Sequence, residues 1–342
     1  MEREYDKELL DFIQNSPSVY HMIAGQKQRL LAAGYTQLLE SEAWELRPGG
    51  KYFITRNGSA IAAFRVPEGP FRGFMIMASH SDSPALKVKE HPEITVEGTY
   101  RKLNVELYGG ALLAPWFDRP LSVAGRLFLR TAEGVRPCLV DAGRDLVLIP
   151  SLAIHMNREV NAGYEYRVQR DLLPLYGGAE ARDLTVLLAQ EAGADPADVL
   201  DHDLFVYGRQ APSIWGAERE FLSSPRLDDT QCAFASLTGF LESEGGESLP
   251  VHVVFDNEEI GSSTRQGADS TLLADTLRRI TAGLGLDERT YLEKLSQSFL
   301  LSADNAHAMH PNYPDKCDPV NRPRLGGGVV LKYSGTQKYT TD

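Results

Sequence analysis

Two adjacent glutamates, Glu258 and Glu259, close an apolar run, Val251-His252-Val253-Val254-Phe255, and lead into a Gly-Ser-Ser turn. Neighbouring carboxylates at a strand end repel each other and are costly to bury unless protons or cations neutralise them. A solvated acidic turn is the simplest reading of the pair by itself. The rest of the chain favours a metal site, in which one carboxylate holds the ion and its neighbour acts as general base toward a water that the metal activates. The fold must then bring further ligands to this strand end.

Three other segments carry such ligands at the ends of apolar stretches. Phe74-Met75-Ile76-Met77 runs into Ala78-Ser79-His80-Ser81-Asp82, placing His80 where open α/β sheets bind ligands and Asp82 where it can orient the imidazole. Arg226-Leu227-Asp228-Asp229 precedes a helical pattern, so one aspartate is expected to cap that helix and the other to be available to a metal. Leu300-Leu301-Ser302-Ala303-Asp304 ends another apolar strand and is followed by His307 and His310, spaced three apart. A mixed nitrogen and oxygen donor set suits zinc, with manganese or cobalt as alternatives, and a carboxylate shared by two ions suits aminopeptidase chemistry.

The pattern between these points is that of an α/β layer sandwich with an insertion. Helical periodicity covers Lys7 to Leu39, restarting at Ser16-Pro17-Ser18, and strands are expected at Lys51–Thr55, Ala60–Val66 and Phe74–Ala78, the first two joined by a hairpin turn at Asn57-Gly58. From about Glu93 to Leu204 short alternating runs predict a β-rich second domain, with Asp183–Glu191 its clearest helix. Strand and helix alternation then returns, with a helix at Thr230–Glu242, a strand at Val251–Phe255, a helix at Ser270–Gly283 and a strand at Ser298–Ser302. A chain of 342 residues suits two domains, here residues 1–92 with 205–342, and 93–204.

The net charge of −12 argues against nucleic acid as a partner. Cys138, Cys232 and Cys317 are few and scattered, so reduced thiols and a cytoplasmic location are expected. The charged N-terminus lacks the apolar core of a signal peptide, and no apolar run reaches membrane-spanning length.

Four motifs together, Ser79-His80-Ser81-Asp82-Ser83-Pro84, Arg226-Leu227-Asp228-Asp229, Asp256-Asn257-Glu258-Glu259-Ile260-Gly261-Ser262 and Ser302-Ala303-Asp304-Asn305-Ala306-His307-Ala308-Met309-His310-Pro311, resemble the M18 metallopeptidases, the aspartyl aminopeptidases and their relatives. Asn104 to Gly110, Trp116-Phe117-Asp118-Arg119 and Ile149 to His155 resemble that family's inserted domain. The resemblance implies a zinc-exopeptidase-like three-layer α/β/α sandwich with an inserted β-rich dimerisation domain. It implies two zinc ions per complete subunit, one held by His80, Asp228 and Asp304, the other by Asp228 and Glu259. Glu258 would be the general base, Asp82 would orient His80, and His155, His307 and Lys316 would contact substrate, His155 reaching into a partner subunit. The implied activity is removal of N-terminal residues, acidic ones expected, from peptides by a homo-oligomer of dimers or a dodecamer. The family's final metal-ligating histidine has no counterpart after His310, so the chain resembles a C-terminally truncated member. The alternative reading is therefore a weakly active or inactive metal-binding assembly subunit of the same fold.

Overall fold

The computed structural model describes residues 4–244, 246–333 and 335. The chain divides into two compact units, Met1–Ala303 and Asp304–Asp342.

In the first unit, helices α1 (Glu4–Gln14) and α2 (Val19–Ala32) are separated at Ser16-Pro17-Ser18, where the Ser16 hydroxyl donates back to the Phe12 carbonyl at 2.7 Å. Strands β1 (Thr36–Gln37), β2 (Lys51–Arg56), β3 (Ala60–Arg65) and β4 (Phe74–His80) follow. Asn57 and Gly58 between β2 and β3 take positive φ values of 55° and 67°, the backbone that a tight hairpin needs. Next come β5 (Ala85–Val96), β6 (Tyr100–Tyr108), β7 (Leu121–Thr131), β8 (Gly134–Asp141), the single turn α3 (Val168–Asp171), β9 (Leu175–Gly178), α4 (Leu184–Glu191) and β10 (Val199–Gly208). A small hairpin, β11 (Ser213–Trp215) and β12 (Phe221–Ser223), leads into α5 (Leu227–Glu242), β13 (Leu249–Phe255), α6 (Leu272–Gly283), α7 (Glu288–Leu295) and β14 (Phe299–Ser302).

These strands build two six-stranded sheets. The first has the order β1-β2-β3-β13-β4-β14. Its strands alternate in the helix layer they face. Phe53, Ile61, Ala63 and Val254 pack with Met22, Ile23 and Leu30 of α2 and Ala233 and Leu237 of α5. Ile54, Ala62, Phe64 and Val253 pack on the other face with Leu277 and Ile280 of α6 and Tyr291 of α7. The period-two side-chain alternation of a strand thus produces a three-layer α/β/α sandwich. Helix α7 was not expected from the sequence: only Tyr291 of it is buried, so its apolar stripe is too thin to read.

The second sheet, β8-β7-β10-β5-β6-β9, is antiparallel throughout, and its core includes Leu86, Val88, Leu103 and Val123 with Leu184 and Leu188 of α4. Its strands run from Ala85 to Gly208, wider than the β-rich stretch at 93–204. The polar residues Lys87, Lys89, Glu90 and His91 interrupt the apolar pattern of β5, yet Ala85–Val88 pair with β6. Arg126 of β7 joins the two sheets: it donates to Asp203 of β10 at 2.8 Å and to the Asn57 carbonyl of the β2–β3 turn at 2.6 Å.

The second unit contains, among its described residues, one short 3-10 turn, Pro314–Lys316, and no strand or α-helix. Asp318 accepts from the amides of Val320 and Asn321, and Lys332 lies 3.4 Å from Asp304. No helix among the described residues is long and apolar enough to cross a membrane.

Candidate active site

Strand pairing sets the frame of the site. β13 and β14 both run parallel to β4, with Phe255 opposite His80 and Ser302 opposite Ala78, so three strands end at one edge of the first sheet. The N-terminal end of α5 reaches the same edge, where the buried Asp229 accepts from the His80 amide at 3.1 Å. Asp228 and Asp229 are joined by a cis peptide bond and have non-helical backbone, ahead of the regular helix. Carboxyl ends of parallel strands are where open α/β sheets bind ligands.

His80 is buried and flanked by acids on both ring nitrogens. Nδ1 lies 3.2 Å from Asp82 Oδ1, and Nε2 lies 3.4 Å from Asp228 Oδ1 and 3.9 Å from Asp229 Oδ2. Burial lowers the imidazole pKa, but hydrogen bonding to Asp228 and Asp82 and the charge of Asp229 outweigh it and push it up to about 11. An acid surplus that holds a proton at this nitrogen also favours a metal cation there, since the two compete for one lone pair. His80, Asp228 and Asp229 offer ligand atoms that lie within 4.8 Å of one another. One imidazole and clustered carboxylates fit a divalent transition metal such as zinc.

Asp82 is the organising group. It is fully buried, and its two oxygens receive the amides of Glu258 and Glu259 at 3.1 Å each and the Tyr108 hydroxyl at 2.7 Å, in addition to facing His80. Burial raises its pKa, yet the His80 and Tyr108 hydrogen bonds and the His80 charge hold it below the ordinary carboxylate range. The same carboxylate therefore sets the orientation of the imidazole and the position of the Glu258-Glu259 turn, a 3-10 turn spanning Glu258–Ile260. Glu258 is exposed, and Glu259 is half-buried. Burial first, then the charge of Asp228, pushes the Glu259 carboxyl up to about 7, so Glu259 and Asp228 act on each other electrostatically.

Among the expected site residues, His80, Asp82, Asp228, Glu258 and Glu259 come together in the first unit. Asp304 begins the second unit immediately after Ala303, whose amide donates to the Ala78 carbonyl at 2.7 Å. His307 and Lys316 are exposed in that second unit, Lys316 closing its 3-10 turn. His155 is exposed on a turn of the first unit. Asp229, expected as one of two interchangeable acids, is the one that anchors the His80 backbone. The role of Tyr108 was missed: its hydroxyl donates to Asp82 and accepts from Asn257 at 2.8 Å, and Asn257 in turn accepts from Thr264 and Gln266. The signal available was the Gly109-Gly110 pair after it, which marks a close backbone approach.

The approach is made on Glu259. A Cβ on Gly109 would meet the Glu259 Cβ at 2.9 Å and its Oε2 at 3.2 Å, and Gly109 has φ +74°. Gly109→Ala is expected to cost about 1–2 kcal/mol for the left-handed backbone alone and to displace Glu259. Thermal unfolding and metal stoichiometry measure the two effects; a variant unchanged in both would show that Glu259 does not depend on this contact.

A family model described as aminopeptidase I zinc metalloprotease (M18) matches residues 12–342. The chain belongs to the M18 family. The probable M18 family aminopeptidase 2 of Clostridium acetobutylicum is 43% identical over 350 residues, a match covering 100% of this chain and 81% of that protein. Among solved structures, Ape4 in its complex with Nbr1 superposes with a TM-score of 0.93 at 35% identity, covering 98% of this chain and 70% of that one. The mApe1 dodecamer of S. cerevisiae superposes with a TM-score of 0.82 at 27% identity, covering 94% and 76%. The M18 chain is by lineage a metallo-aminopeptidase, a hydrolase of a zinc family, with the mixed α/β fold of that family.

Proposed function

We propose that this protein removes N-terminal residues, acidic ones in preference, from peptides, with two zinc ions per subunit. The observation that carries the reading is the Asp82 carboxylate, which holds the His80 imidazole and the backbone of both glutamates at once. In this reading His80, Asp228 and Asp304 hold one ion and Asp228 and Glu259 the other, with manganese or cobalt as substitutes. The strong acid surplus around His80 and the response of Glu259 to Asp228 support this assignment. When bound, the metal pair supplies Lewis acidity toward the scissile carbonyl and the attacking water.

The chain's own groups do the rest. Asp82 accepts from the Nδ1–H of His80 and so keeps Nε2 directed at the Asp228 carboxylate. Glu258 is not needed as a ligand, so its carboxylate takes the proton of the attacking water and passes it to the departing amine. Tyr108 and Asn257 hold Asp82 and the glutamate turn in register. Lys316, His307 and a partner's copy of His155 contact the substrate, and the Lys316 ammonium favours an acidic first side chain through a charge-assisted bond. Comparing hydrolysis of peptides that begin with Asp, Glu or Leu tests the preference. Asp and Glu peptides are expected to be cleaved faster, and Lys316→Met to narrow or reverse the ratio. Faster Leu cleavage by the unmutated chain rejects the acidic preference alone; absence of any metal-dependent peptide hydrolysis rejects the whole reading.

The proposed assembly is a homodimer through the β-rich segment at about 93–204, with dodecamers built from such dimers. Exposed Leu152, Ile154 and Met156 surround His155 and form an apolar surface suited to a partner subunit. Sedimentation of the chain and of an Ile154→Asp, Met156→Asp variant is expected to show that the variant loses the dimer; a variant that assembles normally places the interface elsewhere. The scattered cysteines support a reducing, cytoplasmic location, which cell fractionation tests.

A further inference from the structure

A cavity of about 360 Å³ lies in the first unit beside Asp228, within the range of about 300–1,000 Å³ typical of small-molecule sites. Its apolar wall includes Met22, Trp116 and Phe205, and two guanidiniums line it, those of Arg119 and Arg226. Arg226 donates to the carbonyls of Ser16 and Ile13 at 3.1 Å each and reaches that of Gly208 at 3.5 Å, while its guanidinium packs on the Tyr207 ring. All of these hydrogen-bond acceptors are neutral. Nearby acids have other partners: the Asp141 carboxylate takes the Tyr207 hydroxyl at 2.8 Å, and Asp228 Oδ1 lies 3.4 Å from His80 Nε2. The Nε of Arg119 is buried without a hydrogen-bond partner among the described residues.

Two guanidiniums on one cavity without a carboxylate bound to either among the described residues are unexpected in a chain with 47 acidic and 35 basic residues. Arginine's planar fork matches a carboxylate, and a desolvated guanidinium gains most from one. Aliphatic and aromatic walls suit an apolar body behind that carboxylate.

We propose that this cavity binds a carboxylate carried on an apolar body, presented by the peptide substrate beside the metal-ligating cluster. The substrate origin rests on the aminopeptidase reading; the carboxylate binding rests on the cavity alone. The carboxylate is the free C-terminus of a short peptide, since the acidic first side chain is assigned to Lys316.

Titration of the full chain in the presence of chelator separates binding from turnover. Glutarate stands for the acidic side chain and N-acetyl-leucine for the C-terminus, each compared with its neutral amide, glutaramide or N-acetyl-leucinamide. N-acetyl-leucine is expected to bind about tenfold or more tightly than its amide, as a charge-assisted bond requires, and an acid preference confined to glutarate overturns the C-terminal assignment. Arg119→Gln is expected to abolish the difference and Arg119→Lys to retain part of it, with thermal unfolding unchanged in both. Equal binding of acid and amide in both pairs overturns the proposal, as does an undiminished acid preference in Arg119→Gln. Acid preference without peptide hydrolysis would reject the aminopeptidase reading and leave the pocket standing.

Discussion

Replacing Glu258 by glutamine is expected to lower peptide hydrolysis by about 10²–10⁴-fold while leaving metal content near that of the unmutated chain. The substitution keeps the side chain's size and removes its ability to take a proton. Nothing structural should change: Glu258 is exposed, and its tie to the site is its main-chain amide, which donates to Asp82 whatever the side chain. Metal analysis beside a hydrolysis assay separates base from ligand. Loss of metal with loss of activity would make Glu258 a ligand, and turnover within a few-fold of the unmutated chain would remove it from the chemistry altogether.

Asp82→Asn is expected to damage both stability and metal binding. Oδ1 of Asp82 faces His80 Nδ1 and the Glu258 amide, and Oδ2 faces the Tyr108 hydroxyl and the Glu259 amide. An asparagine NH₂ on either side therefore opposes N–H donors in a fully buried position. A buried donor or acceptor left unsatisfied costs about 1–3 kcal/mol. Loss of the group that orients a metal-ligating histidine typically weakens metal affinity by about 10–100-fold. Urea unfolding of the metal-free protein measures the first effect and zinc titration the second. The stability difference should shrink at low pH. Because the folded Asp82 pKa lies below its unfolded value, its contribution is present above the unfolded pKa and fades as pH falls through the folded one. An Asp82→Asn protein as stable and as zinc-avid as its parent would show that this carboxylate organises nothing.

Much of this was legible locally. The Asn57-Gly58 turn, the restart at Ser16-Pro17-Ser18 and the strands ending at His80 and Phe255 each depend on a few consecutive residues whose periodicity or turn chemistry has one natural reading. The acids at those ends were visible for the same reason. Helix α7 was not legible, because one buried tyrosine makes no periodic stripe, and neither was the start of β5, whose charged side chains alternate over a half-buried surface.

What the sequence by itself determined is therefore the set of strand ends and the helix start, with the chemical types they carry, His80, Glu258 and Glu259 at strand ends and Asp228 at the start of α5, because strand, turn and helix-start preferences act over short range. Tertiary structure alone decided how those groups bear on one another. Tyr108 reaches Asp82 because β6 of the second sheet ends beside β4 of the first, and Asp229 rather than Asp228 takes the His80 amide because of where α5 packs. Gly109 is required by Glu259, a residue 150 positions away in the chain. Such contacts arise from packing between distant segments, and a local pattern such as Gly109-Gly110 marks a close approach without specifying the partner.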